Sequence, residues 1–167
     1  DKPVGWIHVA KGPVMAGAEL FIVKLTGKGG HGAAPETTVD PVVAAAQIVT
    51  ALQTIVSRNV APLKPAVVSV TSIHSGTAFN IIPQTAELTG TIRTFEPEVR
   101  KLVHQRFEQI VRGIATSMNC EVEITIKQVT APVINNDAVA ESVLTSAQTL
   151  FPQTEIDTNS YLTMGAE

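Results

Sequence analysis

The chain has 167 residues, 44% of them hydrophobic and 16% charged, which is enough apolar material for a packed domain and too much for a disordered chain. Its 15 acidic and 12 basic residues leave a net charge of -3, with Lys and Arg dispersed, so no nucleic-acid surface is expected. No apolar run approaches the ~20 residues that cross a bilayer, and the single cysteine, Cys120, cannot form an internal disulfide, so a soluble, cytoplasmic protein without a membrane partner is expected.

Residues 1–17 are rich in Pro and Gly around a short apolar patch at Trp6-Ile7 and read as a connector with one short strand. Residues 20–26 form a strand with Phe21, Val23 and Leu25 on one face, and the run Gly27-Lys28-Gly29-Gly30-His31-Gly32-Ala33 follows as a loop. Asp40-Pro41 opens a helix, because Asp accepts from free N-terminal amides and Pro suits the first helical position. Ala44, Ile48, Leu52 and Ile55 recur at helical spacing and form its buried stripe. A loop with two prolines, 59–65, leads to a β-branched strand over 67–74 and a turn at Ser75-Gly76-Thr77. Residues 87–95 alternate cleanly, with Leu88, Gly90 and Ile92 on one face and Glu87, Thr89, Thr91 and Arg93 on the other.

Pro97 opens a second helix with the stripe Val99, Val103, Phe107, Ile110 and Ile114, and His104 falls on its solvated face with Lys101 and Glu108. Residues 121–129 form a fourth strand with Val122, Ile124 and Ile126 inward. The order over 18–131 is βαββαβ, which predicts an α+β fold of the ferredoxin-like kind: a four-stranded antiparallel sheet with two helices on one face. A further helix is expected over 137–150, then a loop-like tail. Neither end resembles a natural terminus: there is no initiating Met and no helix cap or polar tail at Gly165-Ala166-Glu167, so a piece of a larger protein is expected.

Three residues stand out chemically. Glycines around His31 let the backbone turn and approach other groups, so the imidazole is presented rather than packed, although an inert turn histidine fits the same pattern. Asn80, in Asn80-Ile81-Ile82-Pro83, offers an amide to a carboxylate or carbonyl, or else makes an Asx turn. Arg93, on the polar face of its strand, can hold a carboxylate in two hydrogen bonds, or else pair with Glu87, Glu121 or Glu123. Gly76 and Thr77 could line the same pocket, or serve only the turn. No two histidines stand at metal-ligand spacing on one element, so no metal site is expected in this chain.

The glycine run, Asp40-Pro41, Leu52-Gln53-Thr54-Ile55-Val56-Ser57-Arg58, Asn80-Ile81-Ile82-Pro83 and Gly90-Thr91-Ile92-Arg93-Thr94-Phe95 occur in one order over nearly the whole chain. Together they resemble the lid, or dimerisation, domain of the M20 family of metal-dependent peptidases and amidohydrolases, in the branch with hippurate, N-acyl-amino-acid and auxin-conjugate hydrolases. The tail Thr163-Met164-Gly165-Ala166-Glu167 is similar to a loop of that branch's catalytic domain. The resemblance implies a connector over 1–17, the lid over 18–131 and a partial return into the catalytic domain over 132–167. It implies a homodimer and a small-molecule N-acyl amino acid or peptide substrate. It implies two divalent ions, zinc or manganese, held by the parent enzyme and not by this chain, which lacks the family's Cys-Gly-His-Asp run, Glu-Glu pair and late His. By resemblance His31 stabilises the oxyanion in the partner's active site, while Asn80 and Arg93, with Gly76 and Thr77, bind substrate. The fragment alone is then inactive. Two other readings share the fold: an amino-acid-binding regulatory module, and a purely structural dimerisation module.

Overall fold

The computed structural model describes residues 4–159; the 163–167 motif lies outside the described residues. In chain order the elements are β1 (Ile7–His8), β2 (Gly12–Met15), β3 (Gly17–Thr26), β4 (Gly30–His31), α1 (Pro41–Thr54), β5 (Ala66–Ser75), β6 (Ile81–Ile82), β7 (Thr85–Thr94), α2 (Pro97–Ser117), β8 (Glu121–Thr130), β9 (Val133–Asn135), α3 (Asp137–Leu150) and β10 (Ile156–Asp157). β5, β7, β3 and β8 lie side by side in that order, all neighbours antiparallel. The βαββαβ order and the sheet with two helices on one face are therefore as the sequence predicts.

The alternation of β3 and β7 explains the core. Phe21, Val23 and Leu25 meet Leu88 and Ile92 under Ala44, Ile48 and Leu52 of α1 and Val99, Val103 and Phe107 of α2, in one buried cluster. Phe21 stacks obliquely on Phe107 with ring centroids 4.8 Å apart. Gly90 sits beneath that ring: a Cβ there would lie 2.3 Å from Phe21 Cζ and 2.0 Å from the Ser69 carbonyl oxygen. α1 starts as read, with Asp40 accepting from the Val42 amide at 2.8 Å.

Three expectations need correction. The fully buried row of α2 continues through Val111 and Ala115, while Ile110 and Ile114 flank it half-buried; every fourth residue drifts slowly round a helix of 21 residues, so the row leaves the 3–4 alternation. The N-terminal connector holds two short strands, and the tail is not all loop: β1 pairs with β10 in parallel, and β2 pairs with β9. The segments flanking the βαββαβ unit thus join each other, with α3 beside them. His104 is only partly solvated and is held by a buried carboxylate, as described below. Among the described residues no helix is long and apolar enough to cross a membrane.

Candidate functional site

The glycine run leaves β3 and forms β4, which pairs with β6 so that His31 lies opposite Ile81, and the Gly32 amide donates to the Asn80 carbonyl at 2.8 Å. None of Gly27, Gly29, Gly30 and Gly32 takes a positive φ. They are small because backbone passes close: a Cβ on Gly27 would lie 2.2 Å from the Val39 carbonyl oxygen, and one on Gly29 2.9 Å from that of Ile82. The run is thus a packed platform, and it brings His31 and Asn80 together from 49 positions apart in the sequence. Gly76, with φ +68°, turns the chain between β5 and the Asn80 segment, and Thr77 lines an open depression at this end with His74, Ile81 and Pro83. Phe79, beside Asn80, is fully exposed.

His31 is exposed, and its Nδ1 accepts from the Ala33 amide at 3.1 Å. A ring that accepts at Nδ1 carries its proton on Nε2 when neutral, so the outward nitrogen is a donor. The Asn80 carbonyl is held by Gly32 while the residue itself is exposed.

Arg93 is elsewhere. It lies opposite Ala18 and Val67, whereas the His31 end of the sheet is where Thr85 meets Thr26. The eight residue steps from Thr85 to Arg93 separate it from that end by roughly 27 Å. The same register puts Glu87, Glu121 and Glu123 toward the far end, which excludes them as ion-pair partners of Arg93. Arg93 Nε instead donates to Thr91 Oγ1 at 3.1 Å, and Thr91 Oγ1 donates to the Glu19 carbonyl at 3.1 Å. Arg93 and Thr91 line a shallow depression of about 240 Å³ on the helix-free face, with Ala18, Leu20, Thr71 and Val129.

On the opposite face at this end lies a cluster that the sequence reading missed. Glu19 is 4% exposed, accepts from Arg100 Nε and Nη2 at 2.9 and 2.5 Å, and meets His104 Nε2 at 2.8 Å. Burial pushes the Glu19 carboxyl up, but the hydrogen bonds and charge of Arg100 and His104 outweigh it and hold the group below the usual carboxylate range. The signal was available: carrying the Phe21–Val23–Leu25 alternation back by two puts Glu19 on the core face, where a carboxylate needs partners, and Arg100 and His104 stand one helical turn apart.

Among the described residues no three His, Cys, Asp or Glu side chains group closely enough to hold a metal ion. Cys120 is buried, and its thiol is pushed up first by that burial and then by Asp40, which disfavours the thiolate a metal needs.

The peptidase dimerisation domain profile matches residues 16–119. The chain belongs to the M20 peptidase dimerisation-domain family. It is 45% identical over 133 residues to an N-acyl-L-amino acid amidohydrolase of Geobacillus stearothermophilus, covering 80% of this chain and 36% of that protein. It is 39% identical over 161 residues to a hippurate hydrolase of Campylobacter jejuni, covering 96% of this chain and 42% of that protein. A solved Bacillus subtilis dinuclear metal binding peptidase from the M20 family superposes with a TM-score of 0.75 at 32% identity, over 98% of this chain and 40% of that one. The chain thus spans well under half the length of these relatives.

Proposed function

We propose that this domain is the lid and dimerisation unit of a metal-dependent amidohydrolase that cleaves N-acyl amino acids or related amides. On this reading residues 1–17 and 132–167 are its connections to a catalytic domain, and the β1–β10 and β2–β9 pairings gather them. Ile134, Val139 and Val143 leave an apolar groove beside them that such a domain would cover. In such an enzyme two divalent ions, zinc or manganese, activate the water that attacks the amide; the described residues do not fit that group. What this chain supplies is donors: Nε2–H of His31 toward the developing oxyanion, the Asn80 amide toward the substrate, and the Arg93 guanidinium toward the substrate carboxylate.

The observation that carries this reading is the separation of the donors. His31 and Asn80 stand at one end of the sheet and Arg93 at the other, too far apart for one small substrate. A twofold axis perpendicular to the sheet, passing beside an edge strand, reverses the partner and lays its His31 end alongside this subunit's Arg93 end. The β5 edge suits that contact. Neither β5 nor α1, which covers it, contains Lys, Arg, Asp or Glu, and Ile73, Val42 and Val43 are exposed there. The β8 edge carries Glu121, Glu123 and Lys127, the kind of charge that keeps an edge single.

Subunit mixing tests the reading in the intact enzyme. His31→Ala and Arg93→Ala homodimers are each expected to be impaired. Unfolding and refolding an equal mixture should restore roughly a quarter of the wild-type sites, because half of the dimers are mixed and each mixed dimer has one site with both residues. No recovery, with heterodimers verified by mass, would place both residues in one subunit's site and overturn the shared-site reading.

A further inference from the structure

We propose that Thr91 is a positioning residue for Arg93, fixing the plane of its guanidinium by a relay anchored across the sheet. The proposal rests on the reading of Arg93 as the carboxylate ligand. Thr91 has one hydroxyl proton, and the 3.1 Å bond to the Glu19 carbonyl takes it. The oxygen lone pairs are then free to accept from Arg93 Nε, which they do at 3.1 Å. The direction of both bonds is therefore set. A β-branched side chain has little freedom at χ1, so the hydroxyl is a stiff acceptor.

The anchor is stiff as well. Glu19 belongs to β3, an inner strand paired on both sides, and its side chain is clamped to α2 through Arg100 and His104 on the other face. The relay so runs from the helix layer through the β3 backbone to the substrate-facing side. An arginine side chain has much rotamer freedom to lose on binding, and pinning Nε removes part of that loss before a ligand arrives. The contact serves ground state and transition state alike, so the effect belongs to KM and not to kcat.

The test uses the full-length enzyme. Thr91→Val keeps the branched shape and removes both bonds. It is expected to raise KM for a carboxylate substrate about 3- to 10-fold, as the loss of one hydrogen bond would, with kcat unchanged and no effect on the matching carboxamide substrate. Thr91→Ser keeps the hydroxyl without the branch and is expected to recover most of the loss. In an Arg93→Ala background Thr91→Val should add nothing. An equal KM rise in that background, or with the carboxamide, would show a strand defect and overturn the relay. In parallel, arginine-selective 15N labelling reads the Arg93 Nε–H directly. Its exchange with water should be slow in wild type and Thr91→Ser and faster in Thr91→Val; unchanged exchange overturns the relay whatever the kinetics. If Arg93→Ala leaves the carboxylate preference intact while exchange responds to Thr91, the carboxylate reading fails and the relay stands.

Discussion

The two ends of the sheet are built by opposite means. At the His31 end the backbone is the structural material: glycines let β4 and β6 pass close to each other, and the side chains of His31, Asn80 and Phe79 stand in the open. At the Arg93 end the side chains are the material: Arg93 bonds Thr91, Thr91 bonds the β3 backbone, and Glu19 is locked to α2 beneath. The first end leaves its side chains exposed. The second holds a group in place within the subunit. On the shared-site reading proposed above, two donors complete a neighbour's site and one stays for its own, which gives the two ends reason to differ in this way.

The sharpest test of that contrast is kinetic. His31→Ala in the intact enzyme should lower kcat by about 10²–10³-fold with a small change in KM, as the loss of a donor used in the transition state does. Arg93→Ala should instead raise KM and erase the preference for a free carboxylate over its amide, and Arg93→Lys should rescue little, since an ammonium cannot make the two-pronged contact. Steady-state kinetics on one acid–amide substrate pair measures all three. If both substitutions act on kcat alone, the two ends do the same job and the contrast fails.

How much of this was legible in the sequence follows the same division. The four main strands, α1, α2 and the Asp40 cap were readable because their signals are local: alternation in 87–95, a helical stripe from Ala44, a capping Asp before Pro41. His31, Asn80 and Arg93 could be picked out by residue type and motif. Their distribution over two ends could not, because it depends on which strands are neighbours and in what register. Pairing of two-residue strands such as β4 with β6 leaves no periodicity to find. His104 was misread because a helix-face count sees Lys101 and Glu108 but not a carboxylate 85 positions away on another strand.

A smaller effect is expected at the sheet edge that is to join the ends across subunits. Ile73→Lys puts an ammonium on the uncharged β5 edge, at a position 54% exposed in the single chain, so folding should be little changed. Burying that charge in a dimer contact should raise the dimer dissociation constant about 10- to 100-fold. Sedimentation of the intact protein across concentration measures it. A Lys at the exposed position Thr125 on β8 is the control, and dissociation by that change instead would move the interface to the other edge.

The last expectation concerns the clamp beneath Arg93. Glu19→Gln keeps the shape and removes the charge that Arg100 and His104 share. The cost to stability at neutral pH should be about 1–2 kcal/mol, less than the ~3–5 of a fully buried pair, because both partners remain partly solvated. The sign with pH is fixed by the direction of the shift. The folded carboxyl titrates below its unfolded value of about 4.3, so its contribution is present above that pH and is lost as the pH falls through the lower folded value. The gap between wild type and Glu19→Gln in a denaturant titration should therefore close as the pH falls below about 5. A gap that widens as the pH falls below about 5 would mean that the carboxyl is raised by its burial, and that Arg100 and His104 do not hold the sheet in the way the relay to Arg93 requires.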